Sequence, residues 1–285
     1  MNLSRRKFLK SGGAAIASTA VLSQMPFGLT GCESMGEKSF GFQVWTIRKE
    51  LVEDFPGTLK KMSEMGYKEV EMCSPLGYSS SGFEPLNKIE GPEMRKIIED
   101  SGLRCTSSHY NLGELRDHLD NRIQWAHDLG MKQMILSSFW LPKEATIDDY
   151  RNACDELNVI GEKTKKAGIQ MGFHNHHMEF EKREGNLIYD ALLDQLDPDL
   201  VKMQFQVAVV NIGYKAADYF KKYPGRFISA HLSDWKSEEE SVPLGEGMVD
   251  WDEFFEAAKT GGVKNYYAEF DPALFEESIK NLNTI

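Results

Sequence analysis

One local pattern recurs along this chain: an amphipathic segment ends at a glycine, and an apolar, strand-like segment begins two or three residues later. It is found around Gly66, Gly102, Gly130, Gly168 and Gly262. A glycine just past a helix adopts the left-handed conformation without steric penalty. Because the copies recur about every 30–40 residues, roughly the length of one strand–helix unit, the pattern predicts an α/β fold with a parallel sheet.

Filling the intervals between these glycines gives eight predicted strands with helix-like segments between them. The strands are predicted near 40–46, 69–73, 104–109, 133–138, 170–176, 201–207, 227–234 and 266–271. The helices are predicted over 55–65, 92–101, 116–129, 148–167, 187–196, 216–223 and 251–260. Eight alternating units predict a single-domain (β/α)8 TIM barrel over residues 39–285. The sequence has no glycine-rich phosphate loop, which disfavours a nucleotide-binding α/β fold.

The N-terminal residues read as an export signal. Ser4 to Lys10 match a twin-arginine pattern, and a short Ala/Ser-rich apolar region follows. Leu29 to Cys32 resemble a bacterial lipobox, which implies cleavage before Cys32 and lipidation of its sulfur. We therefore expect residues 1–31 to be a signal peptide and residues 32–38 a tether. The expected location is periplasmic, with the membrane contacted only through a lipid anchor at Cys32.

The charge balance excludes several classes of partner. Residues 1–31 carry four cations and no acid, so their removal moves the formal net charge from −11 to −15. Such an acidic protein should repel nucleic acid and anionic lipid, which leaves a small-molecule carbohydrate as the expected partner. The remaining cysteines, Cys73, Cys105 and Cys154, have apolar neighbours and are predicted to be buried thiols.

Three histidines lie within four positions in the segment Gly172–Phe180. If residues 170–176 form a strand, His174 and His176 point to one face and Asn175 points to the other. Two imidazoles on one face can bind a metal or a polyol. The alternative is a hydrogen-bonded polar rim that binds no ligand.

Further polar and aromatic side chains stand at the ends of the other predicted strands, where a (β/α)8 barrel carries its chemistry. These are Trp45, Arg48, Glu71, His109, Glu179, Gln206, His231, Asp234 and Glu269, with Trp235 just beyond. Imidazole and carboxylate ligands suit divalent Mn, Zn, Fe or Co.

The sequence resembles the xylose isomerase-like barrels that include sugar phosphate isomerases/epimerases. The segments that carry the resemblance are 41–48, 57–59, 66–71, 174–180, 223–227, 231–234, 245–251 and 269–272. The resemblance implies one divalent metal held by Glu, Asp, His and Glu from strands five to eight. His231 and Glu269 match the last two positions, whereas His174 and Gln206 replace the first two.

These replacements leave one negative charge in the implied metal site where the family commonly has three. The implied ligand set of His174, Gln206, His231 and Glu269 could take Mn or Zn. The alternative is a polyol pocket without a metal. Both alternatives stay open at the level of the sequence.

The expected function is that of a carbohydrate-active isomerase or epimerase, which moves a proton next to the carbonyl of a sugar or keto-sugar. Glu269 is the expected base, His176 or His109 the acid, and Glu179 a possible second carboxylate. Trp45, Trp235 and Phe139 are candidates for stacking on a sugar. Arg48 could hold a phosphate or carboxylate, and Glu71 and His109 are further candidates for substrate binding.

Two other functions fit the same scaffold. With the second carboxylate of the family missing, a keto-glycoside lyase or hydratase is an alternative, because one base and an imidazole suffice for elimination or hydration. A catalytically silent sugar-binding lipoprotein is the other. A metal-dependent endonuclease is excluded by the acidic charge balance and the lack of a basic groove.

Overall fold

The computed structural model describes residues 39–285, and the predicted signal peptide, tether and lipid anchor lie outside them. Eight strands form the barrel: β1 (Phe40–Gln43), β2 (Glu69–Cys73), β3 (Arg104–Tyr110), β4 (Gln133–Leu136), β5 (Gln170–His174), β6 (Val201–Gln206), β7 (Phe227–Leu232) and β8 (Asn265–Ala268). The helices are α1 (Arg48–Glu53), α2 (Phe55–Met65), α3 (Gly91–Asp100), α4 (Leu112–Leu129), α5 (Ile147–Lys166), α6 (Ile188–Gln195), α7 (Ala216–Lys222), α8 (Trp251–Gly261) and α9 (Phe275–Leu282).

The strands close into one barrel in the order β1-β8-β7-β6-β5-β4-β3-β2. Every neighbouring pair is parallel, and β1 pairs with both β8 and β2. Since each strand is followed by at least one helix, the fold is the predicted single (β/α)8 TIM barrel. The register shifts at two places, between Val70 and Glu71 against β3 and between Met203 and Gln204 against β7.

The glycine punctuation acts as the sequence pattern predicts. Gly66 ends α2 with φ 121°, and Gly130 ends α4 with φ 76°. Both angles lie in the region that a side chain makes unfavourable. Helix starts are capped by polar side chains: the Asn111 side chain accepts from the Glu114 backbone N–H, and Thr146 and Asp149 form a reciprocal capping box on α5.

Several predicted boundaries were wrong, mostly at the carboxyl ends of strands. β5 ends at His174, so His176 lies in the loop that follows and not in the strand. β4 ends at Leu136 and β7 at Leu232, two residues earlier than predicted. Helix α4 begins four residues earlier than predicted because Asn111 caps it.

The core is continuous around the barrel, and the three cysteines of the described part are buried free thiols, as predicted. Burial raises the pKa of each thiol, to about 12 for Cys105, so none of them is a reactive thiolate at neutral pH. Among residues 39–285, no helix combines the length and apolarity that crossing a membrane requires.

Candidate functional site

Three buried histidines meet at the carboxyl end of the barrel. His109 comes from β3, His174 from β5 and His231 from β7, and each has one ring nitrogen within 4.8 Å of the others. The ring centroids are 4.3 Å apart for His174 and His231 and 5.1 Å apart for His109 and His231. Alternate strands of a TIM barrel contribute side chains to one layer inside the barrel, which is why residues so distant in sequence come together.

His231 lies between two carboxylates. Its Nε2 is 2.5 Å from Glu71 Oε2, and its Nδ1 is 2.8 Å from Glu269 Oε2. Burial alone would lower the pKa of His231, but the two carboxylates outweigh burial and raise the pKa to about 9. His231 is therefore an imidazolium that donates from both nitrogens at neutral pH.

Glu71 is fully buried and has no contact with solvent. Its Oε2 is also 3.2 Å from His109 Nε2. Burial would raise the pKa of Glu71, but the charges and hydrogen bonds of His109 and His231 hold it well below its ordinary value. Glu71, a substrate-binding candidate on the sequence alone, lies beneath the histidines and orients two of them, His109 and His231.

Gln204, which sequence analysis missed, connects the same group. Its Nε2 donates to Glu71 Oε1 at 2.8 Å and to Ser229 Oγ at 2.9 Å, and its Oε1 lies 2.7 Å from His109 Nε2. Gln204 stands two residues before Gln206 on β6. Because side chains alternate along a strand, Gln204 and Gln206 lie on one face, so the sequence could have predicted Gln204 as a site residue.

Glu269 follows β8 and lies at the mouth of the barrel. Its Oε2 accepts hydrogen bonds from His231 Nδ1 and from Gln206 Nε2, the latter at 2.8 Å. Its side chain is 16% exposed, and its Oε1 has no hydrogen-bond partner among residues 39–285. Although burial would raise the pKa of Glu269, His231 lowers it below its ordinary value, so the carboxylate is ionised at neutral pH.

His174 and His176 are neutral at physiological pH. Burial lowers the pKa of His176 to about 4, and burial together with the other histidines lowers the pKa of His174 well below its ordinary value. The Nδ1 atoms of both rings are buried and have no hydrogen-bond partner in the described structure. Two buried polar atoms without partners, side by side at the mouth, are available to a ligand.

The donor set fits a divalent cation in its chemistry. His174 offers a neutral ring with a free nitrogen. His231 is hydrogen-bonded to a carboxylate at both nitrogens, so it could bind a cation only after losing a proton and one of these partners. The histidine nitrogens, up to 4.8 Å apart, would have to approach each other by up to about 1.4 Å to reach the roughly 3.4 Å spacing of tetrahedral zinc ligands. The predicted ligand Gln206 turns its Oε1 toward the Ala208 backbone N–H, at 3.3 Å.

Glu179, the candidate for a second carboxylate, lies in a short helical turn after β5, His177–Phe180. The residue is buried, and its carboxylate accepts from the His176 backbone N–H at 2.7 Å and from Ser138 Oγ at 2.8 Å. Burial raises its pKa to about 7. These hydrogen bonds of Glu179 fix the loop that carries His176.

Trp45 lies in the loop that follows β1, and Arg48 begins α1. They line a cavity of about 720 Å³ that is bordered by α1 and by residues 80–82. The Arg48 guanidinium lies 4.7 Å from the centroid of the Trp45 ring, and Arg48 donates to the Trp45 carbonyl oxygen at 2.9 Å. Since Arg48 covers the ring of Trp45, that face is not free to stack on a sugar.

The remaining aromatic candidates differ in exposure. Phe139 is buried, and its ring packs against Phe173 with a centroid distance of 4.8 Å, so it belongs to the core. Trp235 is partly buried, and its Nε1 has no partner in the described residues. Trp140, which sequence analysis did not single out, is exposed at the rim beside His176.

Asp234 has a structural position. Its carboxylate accepts from the backbone N–H groups of Gly245, Gly247 and Val249 and from the Trp251 indole. These bonds fix the loop between β7 and α8. The carboxylate is thus committed to the loop and does not face the histidines.

Comparison with known proteins identifies a family that has the same fold. The family model described as xylose isomerase-like TIM barrel matches residues 59–283. Among proteins with curated descriptions, none matches this sequence.

Three solved structures illustrate the similarity. A sugar phosphate isomerase/epimerase from Parabacteroides distasonis has a TM-score of 0.72 and 27% identity, over 88% of this chain and 95% of the other. A probable 3-DHS dehydratase from Bacillus anthracis has a TM-score of 0.67 and 12% identity, over 86% and 98%. A D-psicose 3-epimerase, solved in the presence of D-fructose, has a TM-score of 0.62 and 14% identity, over 85% and 96%. The last two show the fold alone.

The family match covers most of the described residues, and the closed parallel barrel agrees with it. The chain therefore belongs to the xylose isomerase-like TIM barrel family.

Proposed function

We propose that this protein is a carbohydrate-active enzyme of the isomerase/epimerase type, which transfers a proton at the carbon next to the carbonyl of a sugar or keto-sugar. The observation that carries the proposal is the position of Glu269. One of its oxygens is fixed by His231 and Gln206, and the other is free at the barrel mouth. A base that is ionised, oriented and partly exposed is what abstraction of a proton from a bound sugar requires.

The lowered pKa of Glu269 makes it a weak base, so the substrate C–H must be made more acidic. A hydrogen bond or a cation at the carbonyl oxygen has this effect. The unpartnered Nδ1 atoms of His174 and His176 lie where they can serve that oxygen. His176, neutral and next to the mouth, is also suited to receive a proton or return one on the other side of the reacting carbon.

A divalent cation, when bound, would polarise the substrate carbonyl. We propose His109, His174 and His231 as its ligands, because one nitrogen of each lies within 4.8 Å of the others. His231 would have to lose one proton and one of its two carboxylate hydrogen bonds to serve as a ligand. Nitrogen donors suit Zn better than Mg, which prefers oxygen. Glu269 then remains free to act as the base.

A keto-glycoside lyase or hydratase is the second candidate, and one observation favours it. Both oxygens of Glu179 accept hydrogen bonds, one from the Ser138 hydroxyl and one from the His176 backbone N–H. Of the carboxylates described above near the histidines, Glu269 is the one with a free oxygen. One carboxylate can remove a proton from the substrate and deliver the same proton to a leaving group on the same face, whereas an epimerase needs a second proton-transfer group on the opposite face.

The test is exchange of solvent deuterium into a panel of keto-sugars and keto-glycosides, followed by NMR. We expect exchange by the wild type and a loss of about 10²–10⁴-fold in Glu269→Gln. Asp271→Asn is the matched control, since Asp271 lies on the same loop and caps a short turn through the Ala273 N–H. Asp271→Asn should retain the wild-type rate.

The products separate the candidates. Deuterium exchange accompanied by formation of an isomerised or epimerised sugar supports the first proposal. Release of water or of a sugar supports the lyase or hydratase. Sugar binding without exchange or cleavage would leave a silent sugar-binding protein and would overturn both.

We also propose export by the twin-arginine route and lipidation at Cys32, on the strength of the Ser4–Lys10 pattern and the lipobox. An exported enzyme would meet neutral sugars or keto-glycosides more often than sugar phosphates. Metabolic labelling with an alkyne fatty acid should label the wild type and not Cys32→Ser. Labelling of both would refute the anchor.

A further inference from the structure

Trp140 stands out among the described residues because a large aromatic side chain is displayed to solvent at the rim of the site. It is 56% exposed, as much as any large apolar residue of the described part. Its backbone has φ 51°, in the left-handed region that residues other than glycine seldom adopt. Strain of this kind persists only where surrounding contacts maintain it, and it concentrates at binding sites.

The contacts that maintain this conformation are those of the site itself. The Trp140 backbone N–H donates to Ser138 Oγ at 3.4 Å, and Ser138 Oγ donates to Glu179 Oε1 at 2.8 Å. The other oxygen of Glu179 accepts from the His176 backbone N–H. One set of hydrogen bonds therefore holds the backbone at both Trp140 and His176.

A series of rings leads from the indole into the barrel. The centroids are 5.1 Å apart for Trp140 and His176, 4.8 Å for His176 and His174, and 4.3 Å for His174 and His231. Exposure falls along this series, from the solvent-facing indole to the fully buried His231. Because His176 lies between Trp140 and His174, a sugar ring seated at Glu269 and His174 leaves the indole uncovered.

The surroundings of the indole indicate what would cover it. Pro142, Lys143 and Glu144, which follow on the same loop, are exposed, and the last two are charged. A purely apolar partner would have to desolvate these charges. A sugar ring places its C–H face on the indole and keeps its hydroxyl groups in water, so it suits an isolated aromatic face with polar neighbours.

We propose that Trp140 is the platform for a second sugar ring, so that the substrate is a glycoside of at least two rings: one ring reaches Glu269 and the next stacks on the indole. This inference rests on the proposed function, because it names the substrate class of the same site. It adds that a free monosaccharide fills only the part of the site around Glu269 and leaves the indole of Trp140 unoccupied.

The experiment measures binding and not turnover. Isothermal titration with glucose and with glucose disaccharides of different linkage, cellobiose and maltose among them, would be done on the wild type, Trp140→Ala and Trp140→Phe. Val159→Ala is the control, since Val159 is also 56% exposed but lies on the outer helix α5. Circular dichroism and thermal melts establish that each variant is folded.

We expect at least one disaccharide to bind the wild type about tenfold more tightly than glucose, which is the size of one aromatic stacking contact. Trp140→Ala should abolish that preference without weakening glucose binding. Trp140→Phe should keep most of it, and Val159→Ala should keep all of it. If no disaccharide is preferred, or if Trp140→Ala weakens glucose and disaccharide equally, the platform is refuted.

The variant Glu269→Gln separates this inference from the proposed function. It should keep the preference for a disaccharide, since Glu269 is placed at the inner ring. A preference that depends on Trp140, together with deuterium exchange that does not depend on Glu269, would refute the proposed function and leave the platform standing.

Discussion

Glu71 and His231 form a hydrogen bond of 2.5 Å between Glu71 Oε2 and His231 Nε2, and both side chains are fully buried. The bond joins β2 to β7 across the barrel interior. Water cannot compensate either charge there, so each partner depends on the other. The pair also fixes the direction of the His231 ring and thereby turns its Nδ1 toward Glu269.

The first prediction concerns the removal of this charge. Glu71→Gln should destabilise the protein by about 3–5 kcal/mol, because it leaves a buried imidazolium with one carboxylate where it had two. It should also lower the pKa of His231, which NMR titration of the imidazole protons would measure. Urea unfolding would give the loss of stability.

Glu69→Gln is the control for that change. Glu69 lies two residues earlier on β2 and is also buried, but it bonds Arg104 and Asn265 and not a histidine. The His231 titration should be unaffected in Glu69→Gln. A Glu71→Gln variant with an unaltered His231 pKa would contradict the assignment.

The second prediction concerns the dependence of stability on alkaline pH. The folded-state pKa of His231 is about 9, above its ordinary value of 6.5. A raised histidine pKa gives stability that is fully present below about pH 6.5 and is lost as the pH rises through 9. Urea unfolding between pH 6.5 and 9.5 should show this loss in the wild type, and His231→Gln should reduce it.

Exposed His127 provides the comparison, since it lies in the last turn of α4 and no pair of carboxylates among residues 39–285 holds it. His127→Gln should retain the alkaline loss of the wild type. An identical pH profile for His231→Gln and the wild type would show that the ring is not an imidazolium.

The third prediction concerns Glu179, whose folded-state pKa of about 7 lies above its ordinary value of 4.5 because the carboxyl is buried. For a raised carboxyl pKa, the protonated form is favoured, so the folded protein loses stability as the pH rises from 4.5 through 7. Glu179→Gln cannot ionise. It should therefore become more stable relative to the wild type between pH 5 and pH 8, by roughly 2–3 kcal/mol.

Chemical denaturation at pH 5, 6.5 and 8 measures this difference. Glu181→Gln, a neighbouring and exposed glutamate, should show no comparable trend. If the stability difference between Glu179→Gln and the wild type does not vary with pH, the pKa of Glu179 is not raised. The hydrogen bonds to its carboxylate would then offset the effect of burial on that pKa.

The fourth prediction concerns the metal. Zinc titration with a competing chelator, and elemental analysis of the purified protein, should show loss of binding in His109→Ala and in His174→Ala. Gln206→Ala should retain binding, because the amide of Gln206 is engaged by Glu269 and by the Ala208 N–H. Loss of metal in Gln206→Ala, with retention in His109→Ala, would favour the ligand set that the family resemblance implies.

The sequence by itself determined the barrel. The glycine-punctuated repeat of strand and helix specifies eight parallel units, because helix ends and apolar strands are encoded by nearby residues. The same local signals placed His109, His174, His231 and Glu269 at strand ends. Their meeting at one point follows once the barrel is closed.

The tertiary structure alone decided which side chains face one another. The register shifts that pair Glu71 with Ser107 and Gln204 with Ser229 are set by contacts between strands, and a shift of one residue changes the face on which a side chain lies. The position of Glu179 and the left-handed backbone conformation of Trp140 likewise depend on hydrogen bonds to Ser138. Ser138 is distant from Glu179 in the sequence, so this contact exists only in the folded chain. Local sequence specifies the elements, whereas the pairing of distant strands and loops specifies the chemistry between them.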